Sequence, residues 1–225
     1  MSQVTVEGLK AAPEIFLSEF SSRTRVAPGT ETFIIHGTPS TGAQKTAVLG
    51  KTSLNPVFAG HGPPDHRVCL KQSYYRSRIE DQGREKIAIT PQPDVTQYKE
   101  LLSEFNNQAW AAALLGCLYL YIDKFFQDNP ALWIDIPRFR FVEMALVKGL
   151  GASTDSRGKI YLAEEYIDKD IDGVFRKYIN NNSATPLFKD GDVDHNWRAE
   201  FLAFAQHFQH WVTQGAMYTS DFQGK

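Results

Sequence analysis

The run from Ala109 to Ile122 limits the architecture of this chain more than any other stretch. It is densely apolar, is preceded by Asn106, Asn107 and Gln108, and stops at Asp123 and Lys124. A membrane helix needs about 20 consecutive apolar residues. The run falls short of that and reads as a buried core helix, with no membrane insertion. The helical pattern extends from Val95 to about Asp128, where Leu102, Phe105, Ala109, Ala112 and Ala113 recur at spacings of three and four and share a face. So long a helix must be covered by other elements. A chain of 225 residues, 42% of them hydrophobic, has material for one domain or two small lobes around a core.

The covering elements are predicted on both sides of the helix. Thr32 to Ile35 and Lys45 to Leu49 are β-rich runs separated by Gly37-Thr38-Pro39-Ser40-Thr41-Gly42, which predicts a hairpin. Arg67 to Gln72 predicts a strand with Val68 and Leu70 on one side and Cys69 and Lys71 on the other. Phe139 to Val147 and Ile160 to Ile167 predict an antiparallel pair around the turn-like Gly149 to Gly158. Val174 to Tyr178 reads as a short helix, Asn181 to Asp194 as polar loop, and Met217 to Phe222 as a last strand. Trp197, Phe201, Phe204, Phe208 and Trp211 alternate spacings of four and three, which places all five on one face of a final helix ending near Gly215. Residues 1–30 read as an irregular arm. This order describes an α+β fold, a β-rich lobe followed by a mixed one, of which a kinase-like layout is one member.

With 24 Lys+Arg against 26 Asp+Glu, the net charge is −2, which gives no general attraction to nucleic acid or to an anionic membrane surface. Cys69 and Cys117 cannot build a disulfide framework and neither sits in a metal-type pair. The expected setting is intracellular, reducing and cytoplasmic. Met1 to Phe20 intersperses Glu7, Lys10, Glu14 and Glu19 with short apolar pairs, unlike a secretory signal. Asn181-Asn182-Ser183 matches a glycosylation acceptor, a pattern meaningful only in a secreted chain.

Few residues stand out as carriers of chemistry. Lys71, in Val-Cys-Leu-Lys, has the form of a phosphate-pairing strand lysine, although a strand lysine alone is more often a solvated edge charge. Glu104, beside the apolar stripe of the long helix, could hold the Lys71 ammonium or could be an ordinary surface glutamate. Gly42, in Gly-Ala-Gln-Lys-Thr-Ala, could bring backbone N–H groups to a phosphate or simply close a turn. Asp221 and Gln223, in Asp-Phe-Gln-Gly, present two hard oxygen donors that suit Mg²⁺, or mark a plain strand end. His207 and His210 lack the partners of a zinc site, and His207 reads as a hydrogen-bonded core histidine.

In chain order these pieces resemble one family. Gly42 to Ala47, Val68-Cys69-Leu70-Lys71, Ile136 to Glu143, Tyr161 to Ile167, Phe175-Arg176-Lys177-Tyr178-Ile179-Asn180-Asn181-Asn182, Leu202 to His207 and Asp221-Phe222-Gln223-Gly224 are similar to the alpha-kinase family of atypical protein kinases, in a fungal-like variant. The resemblance runs from about Gly37 to the last residue. It implies a two-lobed kinase domain over residues 31–225, with a β-rich N-lobe to about 163, a hinge at about 164–167 and a partial C-lobe over 168–225. It implies a serine/threonine kinase that binds MgATP and passes the γ-phosphate to a protein hydroxyl. Gly42, Ala43 and Lys45 then belong to the phosphate-facing loop, Lys71 pairs with the ATP phosphates, and Glu104 is a candidate partner of that lysine. Glu164 and Tyr166 match the hinge that meets adenine, and Lys177 and Asn181 match positions near the phosphates. Asp221 matches the catalytic aspartate, and Gln223 joins it as a metal ligand. His207 falls where zinc-containing members place their first ligand.

Two departures qualify these expectations. Gln44 stands where the family commonly has an aromatic residue. The pattern continues, in the family, into a Thr-Asp-Pro segment with a second essential aspartate, and in zinc-binding members into further ligands; this sequence stops at Lys225. Zinc is therefore not expected, and a pseudokinase or non-catalytic nucleotide-binding or interaction module is the alternative. The expected partners are ATP and a protein substrate whose identity the sequence leaves open.

Overall fold

The structure is a computed structural model that describes residues 2–10, 30–42, 44–52, 58, 67–81, 83–149 and 159–224. In chain order its elements are β1 (Ser2–Lys10), β2 (Thr30–Thr41), β3 (Lys45–Thr52), β4 (Arg67–Asp81), β5 (Arg84–Pro91), α1 (Asp94–Asp128), a 3-10 turn (Pro130–Leu132), β6 (Met144–Gly149), β7 (Ile160–Glu165), α2 (Lys169–Asp172), β8 (Arg176–Lys177), α3 (Val193–Val212) and β9 (Gln223–Gly224). The α+β class is as the sequence predicts. The chain divides into two compact units, Met1–Asn107 with Val142–Asp168, and Gln108–Phe141 with Lys169–Lys225.

The first unit is built on an antiparallel sheet in the order β3-β2-β1-β6-β7-β4-β5, with β3 also pairing with β4. Strand alternation sorts its side chains into two layers. Val68, Leu70, Ala145, Val147, Tyr161 and Ala163 bury one face together with Phe58. The residues between them, Leu146, Ile160 and Leu162, pack on Leu101 and Phe105 of α1. Gly50 is required by this packing, because a Cβ there would lie 2.8 Å from the Leu70 side chain.

The second unit is a helix pair with loops laid over it. Leu115, Leu118 and Ile122 of α1 meet Phe201, Ala205 and Phe208 of α3, with Ile136, Phe139 and Phe141 against them. Tyr178, Ile179 and Phe222 cover Ala199, Leu202 and Ala203 of α3. By length and composition α1 could cross a membrane. Part of its apolar surface packs on α3 and, in the first unit, on the sheet, while Leu120, Tyr121 and Phe125 are exposed. Asp192 caps α3 by accepting from His195 N–H at 2.9 Å.

Several elements differ from the sequence expectations. Ser2–Lys10 lies within the expected irregular arm, yet forms β1 between β2 and β6. The hairpin is present, but β2 runs on to Thr41 through an irregularity between His36 and Ser40, so Gly37 and Pro39 do not end the strand. Val174–Tyr178 is not helical; Arg176–Lys177 pairs with β9, because its backbone finds a partner distant in sequence. Residues 217–222 form no strand, and β9 holds only Gln223 and Gly224. The aromatic stripe of α3 splits: Phe201 and Phe208 are buried, while Trp197, Phe204 and Trp211 are exposed. At 3.6 residues per turn the five span only about 80°, and the edge of the buried face runs through them, with Phe201 and Phe208 on the side that packs on α1.

Candidate functional site

The side-chain layering of the first unit positions its charged groups. Val68 and Leu70 point into one core, so Cys69 and Lys71 face the α1 side, and Lys71 stands opposite Leu162 of β7 in register. Two residues beyond Leu162, Glu164 is opposite Cys69, and its Oε2 accepts from the Lys71 ammonium. The Glu164 side chain is 10% exposed and that of Lys71 30%. Glu164 Oε1 is buried with no hydrogen-bond partner among the described residues, a cost that a further donor would relieve. Burial works against the charge of Lys71, but Glu164 outweighs it and, with smaller help from Cys69 and Glu104, leaves the ammonium pKa above its ordinary value. Burial likewise raises the Cys69 thiol, which Lys71 offsets in part.

Glu104, expected beside Lys71, is held elsewhere. Both its carboxylate oxygens accept from Lys45 Nζ, and its field reaches Lys71 only as the smallest contribution. The reason is register: Glu164 sits on the strand next to Lys71, while Glu104 on α1 meets Lys45 at the start of β3. The Gly42 loop also differs from the expectation. Gly42 N–H donates to Lys45 O at 2.8 Å, and its carbonyl accepts from Tyr74 Oη and, at 3.1 Å, from Arg76 Nη2. Its amide is therefore committed within the turn and not free for a phosphate. Ala43 lies outside the described residues. Tyr166 lies under the Arg67 guanidinium, 4.8 Å from ring centroid to Cζ, and Arg67 also donates to Asp168.

The second unit carries Lys177, Asn181, Asp221 and Gln223. Tyr178 N–H and Ile179 N–H both donate to Phe222 O, at 2.9 and 3.3 Å, and Lys177 is opposite Gln223. Phe222 is buried, whereas Asp221 is half-buried and Gln223 exposed. Asp221 has φ +60°, left-handed backbone that is uncommon for a residue with a side chain. Its Oδ1 lies 2.6 Å from Lys177 Nζ, each side chain 40% exposed. Asp221 thus precedes β9 rather than standing at the end of a longer strand. Asn181 occupies an exposed turn. His207, expected in the core, is exposed, and its Nδ1 bonds Ala203 O at 2.9 Å. Among the described residues no three His, Cys, Asp or Glu are grouped to hold a metal.

The sequence profile of the alpha-kinase family matches residues 66–225. The chain belongs to the alpha-kinase family. Solved alpha-kinase domains of myosin-II heavy chain kinase A share its fold: the apoenzyme at TM-score 0.51, and the complexes with ADP and with AMP-PNP at 0.52 each. Each is 12% identical, and each alignment covers 100% of this chain and 79% of the other. No curated protein sequence matches this one. The alpha-kinase match begins after the Gly42–Ala47 motif, so that motif stands outside it.

Sequence reasoning on this alpha-kinase domain missed Gln206 and Gln209. Both are buried on α3, and both bond the main chain of Thr219 at 2.7 Å. The available signal was two amides among Leu202, Ala205 and Phe208 on an inward face, since a buried amide needs partners. The Arg67–Asp168 and Lys45–Glu104 pairs gave no comparable signal, their partners being 101 and 59 residues apart.

Proposed function

We propose that this alpha-kinase domain binds MgATP and transfers its γ-phosphoryl group to a serine or threonine hydroxyl of a protein. The observation that carries the reading is Asp221, a solvent-accessible carboxylate in left-handed backbone beside Lys177, within Asp-Phe-Gln-Gly of an alpha-kinase. That myosin-II heavy chain kinase A crystallised with ADP and AMP-PNP supports the nucleotide. The donor set fits Mg²⁺, which binds through one or two protein oxygens, several waters and phosphate rather than a full protein cage. Asp221 and Gln223 are the two oxygens assigned to it, and the ion would neutralise phosphate charge.

In phosphoryl transfer the protein's part is positioning and electrostatics. From the first unit, Lys71 supplies a cation for phosphate oxygens, held in place by Glu164, and Glu164 and Tyr166 are assigned to the hinge on the adenine side. Lys45, paired with Glu104, is assigned to the phosphate-facing loop beside Gly42. From the second unit, Lys177 and Asn181 are assigned to phosphate, and Asp221 also accepts from the substrate hydroxyl. Lys177 holds the Asp221 carboxylate in place until then.

Thermal denaturation with millimolar MgATP tests the binding half, because a ligand of the native state raises the melting temperature. We expect a shift that shrinks in Lys71→Ala. No shift in the wild-type protein would sink the reading. Phosphate incorporation into a basic protein tests the transfer, and binding without incorporation would leave a nucleotide-binding module.

A further inference from the structure

The segment that carries Asp221 has almost no secondary structure of its own. Residues 217–222 are irregular and only Gln223–Gly224 pairs with a strand. Yet Asp221 holds φ +60°, a conformation that persists only where the surroundings over-determine it. On the downstream side the restraint is clear: Phe222 is buried against α3, and its carbonyl takes two backbone N–H groups from Tyr178 and Ile179. Upstream the restraint comes from two side chains. Gln206 Nε2 donates to Thr219 O and Gln209 Oε1 accepts from Thr219 N–H, both at 2.7 Å. One residue two positions before Asp221 thus has its donor and acceptor both taken by neighbouring turns of α3.

The chemistry fixes the orientation of both amides. Thr219 N–H can only donate, so Gln209 must present its oxygen, and Thr219 O can only accept, so Gln206 must present its nitrogen. The opposite ends of these side chains, Gln206 Oε1 and Gln209 Nε2, are buried without a hydrogen-bond partner among the described residues. Gln206 is 3% exposed and Gln209 0%. Apolar residues would fill such positions at lower cost, because an unsatisfied buried polar atom is expensive. The sites keep amides that serve Thr219.

We propose that Gln206 and Gln209 are positioning residues of the phosphoryl-transfer site, clamping Thr219 so that Asp221 is presented in its left-handed, metal-competent conformation. This rests on the assignment of Mg²⁺ to Asp221 made above, and the test separates the two. Gln206→Met and Gln209→Met keep shape and remove the bonds, and Gln209→Glu keeps the acceptor for Thr219 N–H. The readouts are hydrogen exchange of the 219–223 amides and the gain in nucleotide affinity caused by Mg²⁺.

In wild-type protein the Thr219 amide should be protected like the α3 amides. Both Met variants should exchange about tenfold faster at 219–223, the loss of one net hydrogen bond, with α3 protection kept. They should lose most of the Mg²⁺-dependent gain while Mg²⁺-free binding stays, and Gln209→Glu should recover part of it. A wild-type Thr219 amide exchanging at the free-peptide rate overturns the clamp, even if no variant folds. Met variants that match wild type in either exchange or Mg²⁺ gain overturn it as well. A wild-type protein whose nucleotide binding ignores Mg²⁺ refutes the metal assignment, and exchange then decides the clamp alone: faster exchange in the variants supports it, unchanged exchange overturns it.

Discussion

The two units hold their key charges by different means. Lys71 and Glu164 stand on neighbouring strands whose ladders run on through β3 and β6, so backbone hydrogen bonds fix both ends of the pair before the side chains meet. Lys177 and Asp221 stand on a two-residue strand and an irregular loop, fixed by that short ladder, by two backbone bonds to Phe222 O and by the Gln206 and Gln209 side chains. The first pair is more buried, with Glu164 10% exposed against 40% for Asp221. A charge set on a sheet is durable and slow to re-aim. One set on a clamped loop can face solvent and a metal, but depends on each clamp.

The comparison breaks most sharply at Asp221. Asp221→Ala should cut phosphate transfer at least about 1,000-fold, the usual scale for removing a group that acts on developing charge. Thermal stability should hardly change, because the side chain is 40% exposed and Phe222 keeps the loop in the core. Transfer within about tenfold of wild type would remove Asp221 from the chemistry.

Lys71→Ala should act on the other side of the contrast, lowering stability by roughly 1–3 kcal/mol, since it leaves a carboxylate buried without its cation. The sign with pH follows. In wild type the raised Lys71 pKa gives stability that is complete below the unfolded-state lysine value and lost only as pH rises through the folded value. Urea unfolding across pH checks this. Adding Glu164→Leu should recover much of the loss at neutral pH; a double variant no better than the single would show that the orphan charge was not the cause.

The difference between the units also marks what the sequence can convey. Val68, Cys69, Leu70 and Lys71 alternate, and a period of two places Lys71 opposite the core without any tertiary knowledge. The α1 helix was legible for the same reason, its apolar residues recurring at helical spacing. The partner of Lys71 was not: Glu164 rather than Glu104 follows from the β4–β7 register, which no local pattern encodes. β1 stayed hidden because its pairing with β2 and β6 is supplied by residues far along the chain. The motif Asp-Phe-Gln-Gly pointed to Asp221, whereas its positive φ and the glutamines that hold Thr219 are tertiary. Local periodicity finds elements and the faces they present, and register and loop anchoring decide which charges meet.

The smallest effect concerns how the loop unit is pinned at its far end. Asp192 caps α3 through His195 N–H and pairs with Arg176, the residue before Lys177. The His195 amide, then Arg176, hold its carboxyl below the usual aspartate range. An acid with a depressed folded-state pKa contributes stability that is present above its unfolded pKa and lost as pH falls through the folded one. Stability curves of wild type and Asp192→Ala should therefore lie apart at neutral pH and converge at the acid end. Asp192→Asn, which keeps a capping oxygen but no charge, should fall between them. Because Arg176 is tied to β8, the same loss should slightly loosen Lys177, read as faster exchange of the β8 amides in Asp192→Ala. A gap between wild type and Asp192→Ala that stays constant down to the lowest pH would mean the carboxylate's charge contributes nothing, leaving the second unit pinned by its core and the Thr219 clamp alone.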